Sequence, residues 1–240
     1  MKFDFDTIKN LYEELNKQGF TFVLASDLNY PQSNKYCLIR HDVDFSTKKA
    51  LQFATFERDL GVKSTFYFLL RSDFYNLLSP ENVRIISTIQ SYGHEIGLHF
   101  DASIYTNIKD LKQGILNEIS IFETMTGITI KSFSFHRPSP DNLESNLKIH
   151  NLINLYHEDF FKKILYVSDS RNVWRRNPFD EIKKEKSIQI LIHPIWYDCL
   201  EKDTKTILME LLKEYPKEMY KVLQREFSNL NEFVKEKELW

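Results

Sequence analysis

Cysteine is nearly missing from this chain: Cys37 and Cys199 are the only two in 240 residues. Neither sits in a CxxC or other metal-ligand spacing, so no disulfide framework or thiolate zinc site is supported. Cys37 falls in an oily run, where a thiol behaves as a small core hydrophobe. Glycine and proline are scarce as well, at 6 and 7 residues, which argues against disorder and turn-built repeats. An excess of one charge is also lacking. The balance of 32 basic and 34 acidic residues leaves a net charge of -2 and no electrostatic footprint for nucleic acid. Basic pairs occur at Lys48-Lys49, Lys162-Lys163, Arg175-Arg176 and Lys183-Lys184, mostly with acidic neighbours, and read as solvated faces. No window approaches a membrane span. The N-terminus has no apolar core of an export signal, so a cytoplasmic location is expected. Phe5, Ile8, Leu11, Tyr12 and Leu15 instead form a helical stripe closed by Gly19.

Core-forming residues are plentiful: 42% of the chain is hydrophobic and 14% aromatic, enough for one large domain. Oily, β-rich runs recur as "YCLIRH", "STFYFLL", "HEIGLHF", "IKSFSFH", "ILYVSDS" and "IQILIHP", with "FTFVLAS" as a candidate seventh. Helical segments separate them. Residues 47–60 follow the cap Ser46 and stop at Gly61; residues 80–92 follow Ser79-Pro80 and stop at Gly93; residues 107–126 stop at Gly127. Strands alternating with helices require a parallel sheet, and strands oily throughout are buried on both faces. The pattern predicts an α/β fold, a closed or nearly closed (β/α) barrel, in a single domain. A charged helical tail from about 202 to 240, broken at Pro216, is expected to pack on the barrel or on a second copy.

Polar residues gather where these strands end, in "HDVD", "GLHFD", "FHRP", "SDSRNVW" and "LIHP". In a parallel barrel those ends share one face. Alternation points Asp42 and Asp44 to one side of their strand and His41 and Val43 to the other. Two like charges so placed need a positive partner, most simply a divalent metal held with a histidine.

Taken in order, "RHDVD", "YGHEIGLHFD", "HRPSP", "SDSRNVW" and "ILIHP" resemble the five motifs of the polysaccharide deacetylase (NodB-homology, carbohydrate esterase family 4-like) family. The resemblance covers roughly residues 36 to 197, and "GHEIGLH" is its most specific part. It implies a distorted (β/α)7-type barrel and metal-dependent hydrolysis of N-acetyl groups on sugars. By the same resemblance Asp42 is the general base, Asp44 a metal ligand and His99 the first histidine of a metal pair. The family's second histidine lies four residues on, where this chain has Ser103, a poor zinc ligand. His136, Asp101 and water are the candidate replacements, with His136 favoured. Arg137 matches the arginine that holds the catalytic carboxylate, and His193 the general acid. Asp169 is placed to orient His193 or to pair with Arg137, and Trp174 and Trp196 to wall the pocket. Zinc is the first choice of metal, with cobalt, manganese or iron as alternatives.

Plain roles suit the remaining histidines. His94 lies at the far end of its strand and reads as a structural hydrogen-bonding residue, His150 and His157 as surface or loop residues, and His41 as facing away. The reading adopted is an N-deacetylase of a nucleotide- or lipid-linked amino sugar in surface polysaccharide biosynthesis. One rival is a metal-free or non-catalytic relative, suggested by Ser103. Another is an Asp-x-Asp glycosyltransferase, which leaves His99, Arg137 and His193 without a task.

Overall fold

The computed structural model of the chain describes residues 1–29 and 35–234. Helix α1 (Phe5–Lys17) starts at Asp4, whose carboxylate accepts the Thr7 amide at 2.7 Å, and buries Ile8, Leu11, Tyr12 and Leu15. After the short β1 (Thr21–Val23) comes β2 (Tyr36–Val43), the central strand. Three units of helix and strand follow: α2 (Thr47–Asp59) and β3 (Thr65–Leu69), α3 (Pro80–Ser91) and β4 (Glu95–Asp101), α4 (Ile108–Thr126) and β5 (Ser132–His136). Side-chain oxygens of Ser46, Ser79 and Asn107 cap the three helices by accepting amides of their first turns. Gly127 ends α4 in the left-handed region at φ 72°, a conformation that only glycine adopts freely.

The remaining elements follow in order. They are α5 (Pro140–Glu144), β6 (Ile153–Asn154), α6 (Glu158–Phe161), β7 (Leu165–Ser168), α7 (Pro178–Glu181), β8 (Ser187–Ile192), α8 (Thr204–Glu226) and α9 (Leu230–Phe233). The strands form one sheet in the order β6-β5-β4-β3-β2-β8-β7, with β1 also on β2, and every pairing is parallel. The β1 ladder takes Tyr36 to Leu38 and the β3 ladder takes Arg40 to Val43, so the two share one edge of β2 in succession. Among the described residues β6 and β7 share no ladder, and the distorted (β/α)7-type barrel is open along that seam.

Side-chain alternation divides the sheet. Phe66, Phe68, Ile96, Leu98, Phe100, Phe133, Phe135, Ile188, Ile190 and Ile192 face the helices in one large apolar core. Each such phenylalanine contributes about 1.5–3 kcal/mol by leaving water. The inner face is more polar. Tyr67 hydrogen-bonds Ser132 Oγ at 2.8 Å, and Ser132 Oγ donates to Glu95 Oε1 at 2.7 Å. Tyr67 fits because its neighbour on β4 is Gly97, where a Cβ would lie 2.3 Å from the Tyr67 ring.

A buried carboxylate ties the helical layer to β2. Glu57 on α2 accepts from Tyr12 Oη at 2.5 Å, from His41 Nε2 at 2.9 Å and from Ser64 Oγ at 2.5 Å. Burial pushes its pKa up, but His41 and the other donors outweigh that and hold it below the usual range. His94 is structural as expected: it hydrogen-bonds Ser64 and approaches the Ala54 carbonyl at 3.1 Å.

Two expectations change. The stretch after β5 holds α5, β6 and α6. His157 is buried in it, its Nδ1 accepting the Asp159 amide at the start of α6. Pro216 does not break the tail: α8 runs through it, with the carbonyl it leaves free at the exposed Leu212 position, where water can serve it. Residues 235–240 of the expected tail lie outside the described residues. No helix among the described residues is long and apolar enough to cross a membrane.

Replacing Gly97 by Ala should cost about 1–3 kcal/mol, because the Tyr67 ring is fully buried and hydrogen-bonded in place. Urea denaturation measures this, and an unchanged midpoint would mean that the ring can yield.

Candidate metal centre and active site

Arg40, Asp42 and the position of Asp44 alternate along β2 and so share the barrel's inner face. Arg40 is wholly buried and grips Asp42 as a fork, Nε to Oδ1 at 2.9 Å and Nη2 to Oδ2 at 2.7 Å. Its Nη2 also donates to Tyr156 Oη at 3.1 Å, and its guanidinium lies over the Tyr156 ring at 4.7 Å. Burial pushes the Asp42 carboxyl up, but Arg40, and then His99, hold it below the usual carboxylate range. Asp42 is therefore ionised though almost out of reach of water.

Asp44 sits one residue beyond the end of β2. Tyr75 fixes this corner: its hydroxyl donates to the Val43 carbonyl at 2.6 Å and accepts the Leu69 amide at 3.0 Å. Asp44 Oδ1 is buried without a well-directed hydrogen bond. Two imidazole nitrogens face it instead, His99 Nε2 at 3.1 Å and His136 Nδ1 at 3.3 Å, and those nitrogens lie 3.2 Å from each other. His99 is oriented by its other nitrogen, Nδ1, which lies 2.7 Å from Ser134 Oγ on β5. With that proton given to Ser134, Nε2 presents a lone pair to the cluster. Desolvation pushes Asp44 up, yet the two histidines drive it far below its ordinary value.

His193 follows β8 and meets the centre from the other side, its Nε2 3.8 Å from Asp44 Oδ2. Asp169, after β7, accepts both from His193 Nδ1 at 2.5 Å and from the His193 backbone amide at 2.9 Å. The Asp169 carboxylate is fully buried. Burial alone would lower the His193 pKa, but the Asp169 charge and hydrogen bond raise it to about 9.

The structure thus brings Asp42, Asp44, His99, His136, His193 and Asp169 together at the strand ends, and the Asp169 carboxylate is bonded to His193. Arg137 does not join them. It is exposed, in the left-handed region at φ 46°, and the arginine on Asp42 is Arg40. Ser103 is exposed as well, its amide donating to Asp101 Oδ1 at 2.9 Å. Trp196 is buried against Phe45 and belongs to the core, and the half-buried Trp174 packs against that core. Arg40 and Ser134 were missed, although the alternation that pairs Asp42 with Asp44 also places Arg40 beside them. Ser134 is likewise two residues before His136.

Lone pairs from one carboxylate and two imidazoles converge within 4.8 Å of one another. Protonated imidazoles can answer the Asp44 oxygen, and a cation can take the place of their protons by accepting all three lone pairs. Ligand bonds of about 2.05 Å in a tetrahedron put ligand atoms about 3.3 Å apart, close to the spacings found. The residues present fit a divalent ion.

No protein-family model matches the chain, and no curated protein does. Among solved structures, the catalytic domain of a peptidoglycan N-acetylglucosamine deacetylase from Eubacterium rectale is similar at 15% identity and a TM-score of 0.48, covering 79% of this chain and 87% of that one. A CE4-family pseudoenzyme from Bacillus anthracis is similar at 15% identity and a TM-score of 0.44, covering 78% and 62%. A mutant CE4-family pseudoenzyme with restored enzymatic activity has 14% identity, the same TM-score of 0.44, and coverage of 78% and 64%. The chain spans less than two thirds of the length of these two CE4 proteins. CE4 is the family whose motifs the sequence resembles. At such identities the likeness concerns fold alone, and chemistry must be read from the side chains.

Two variants probe this geometry without any assay of activity. Arg40→Ala leaves Asp42 buried and unpaired and should cost about 3–5 kcal/mol of stability in chemical denaturation; a much smaller loss would mean that water reaches the carboxylate. Asp169→Asn removes the charge that raises His193, so its NMR titration midpoint in metal-free protein should fall from about 9 towards the ordinary histidine range. An unmoved midpoint would assign the shift to other groups.

Proposed function

We propose that this chain is a metal-dependent amide hydrolase that removes an acyl group, acetyl in the first instance, from an amino sugar. The observation that carries the proposal is the convergence of Asp44 Oδ1, His99 Nε2 and His136 Nδ1 at 3.1–3.3 Å around one point. Those three residues would hold the ion, with His136 in the role that Ser103 cannot fill. Bound there, a divalent cation supplies Lewis-acid polarisation of a carbonyl and a lowered pKa for water.

The remaining groups divide the proton work. Asp42, kept ionised by Arg40 and 3.7 Å from His99 Nε2, accepts the proton of the attacking water. Its low basicity is matched to an acidified water, not to a free one. His193 carries a proton up to a pKa of about 9 and presents Nε2 to the pocket, because Nδ1 is committed to Asp169. That nitrogen gives its proton to the departing amine, which could not leave as an anion. The side chains of Asp44, His136 and His193 are 12–15% exposed, so a substrate can reach them. The amino-sugar assignment is supported by the motif resemblance.

Elemental analysis of purified protein tests the centre: about one equivalent of zinc or a similar ion is expected, lost in Asp44→Ala, His99→Ala and His136→Ala. Asp42→Asn and His193→Ala should keep the metal but lower acetate release about 10²–10⁴-fold. A wild type that stays empty after zinc, cobalt or manganese is added would sink the mechanism and favour a non-catalytic relative.

A further inference from the structure

The open seam of the barrel carries a second feature. Between the ends of β5 and β7 lies a cleft of about 970 Å³, within the size range of small-molecule sites. It is lined by Lys162, Lys163, Arg171, Arg175 and Arg176, with Glu185 as its only acidic lining residue. The sequence suggests merely solvated basic pairs, and elsewhere that description holds: Lys48 pairs with Glu218 at 3.2 Å and Lys49 with Asp198 at 3.0 Å. In the cleft Lys163 is paired with Asp159, but Lys162, Arg171, Arg175 and Arg176 have no ion-pair partner among the described residues. Exposed, unpaired guanidinium forks lining one cleft are suited to phosphate oxygens.

The cleft neighbours the metal centre along the chain, although none of the centre's own residues lines it. Ser168 and Ser170 line it on either side of Asp169, and Pro138 lines it two residues after His136. Its lining includes Phe161 and Tyr166, whose rings are 4.9 Å apart, and Phe161 makes a tilted contact at 5.1 Å with Tyr156, the residue that hydrogen-bonds Arg40. The rim is a strained turn. Arg171 and Asn172 are both left-handed, at φ 63° and 57°, and Asn172 Nδ2 donates to Thr204 Oγ1 at 2.8 Å at the start of α8. Consecutive non-glycine residues in that region are disfavoured unless the surroundings hold them, and such strain gathers at functional sites.

We propose that this cleft binds a phosphate or diphosphate carried by the substrate, so that the sugar amide reaches the metal centre while the anionic end lies on Arg171, Arg175, Arg176 and Lys162. The proposal rests on the hydrolase reading for the amide end only. A nucleoside diphosphate and a polyprenyl diphosphate share the chemistry that the cleft recognises.

The test joins binding to turnover. Inorganic pyrophosphate binding is measured by calorimetry at low and moderate salt, with wild type, Arg175→Glu/Arg176→Glu and the control Lys183→Glu/Lys184→Glu, whose residues do not line the cleft. Acetate release is measured from N-acetylglucosamine, its 1-phosphate, its uridine diphosphate form and a short polyprenyl diphosphate form. Pyrophosphate should bind wild type and the control, weaken with salt, and bind the arginine variant at least about tenfold more weakly. KM for phosphorylated sugars should fall at least about tenfold below that for the neutral sugar, and rise in the arginine variant. Preference for either diphosphate supports the proposal and names its source. Acetate release without phosphate preference, together with no pyrophosphate binding, would overturn the cleft and leave the hydrolase standing. Pyrophosphate binding lost in the arginine variant, with no acetate from any sugar, would overturn the hydrolase and keep the cleft. Neither binding nor turnover would overturn both.

Discussion

The fork between Arg40 and Asp42 governs the inner face of this barrel. Both lie on the central strand, both are almost wholly buried, and neither is tolerable there without the other. The pair fixes the direction of the Asp42 carboxylate, and the Tyr156 ring under the guanidinium ties the loop after β6 to the same place. Everything else at the centre is arranged around that fixed anion: Ser134 approaches its Oδ1 at 3.5 Å, and His99, held by Ser134, stands 3.7 Å from its Oδ2. An ion pair of this kind contributes little net stability over an apolar pair of the same size. Its presence in the middle of an oily sheet is therefore explained by placement of charge.

The opposite face of β2 repeats the device with different groups. His41 leads outward to Glu57, which also takes Tyr12 from α1 and Ser64 from the residue just before β3. Every donor on that carboxylate comes from a different element, so the network acts as a register pin between helices and sheet. A slip of one residue along β2 would exchange His41 with Arg40 or Asp42 and orphan both networks at once. The register of the central strand is specified from both sides, which is what a site built from strand ends requires.

Much of this was legible in the chain. Periodicity and helix stops placed β2 to β5, β7 and β8 and helices α2 to α4, because the strands are oily runs and the helices stop at or beside Gly61, Gly93 and Gly127. What failed was local. β6 is two residues long and carries no pattern, and α5 and α6 are single turns whose caps sit among other polar residues. Pro216 is a helix breaker by propensity, but an exposed helix can release one carbonyl to water. The assignment of Arg137 to Asp42 followed a motif position, while strand alternation alone pointed to Arg40. His136 shows the reverse: resemblance left its position open, and its place two residues beyond Ser134 on a strand face puts it beside His99.

Why two carboxylates, two residues apart, should behave differently follows from what each faces. Asp42 meets a guanidinium, a permanent cation whose fork takes one lone pair on each of its oxygens and leaves the others to accept a proton. Asp44 lies past the strand's end, beyond the reach of that fork, and meets imidazoles, which offer lone pairs as readily as protons. An arginine at either histidine position would neutralise Asp44 but would fill the point where three lone pairs now converge. A permanent cation beside one aspartate and a replaceable one beside the other therefore separates a proton acceptor from a ligand. Three side chains on one strand face, Arg40, Asp42 and Asp44, are enough to establish that division.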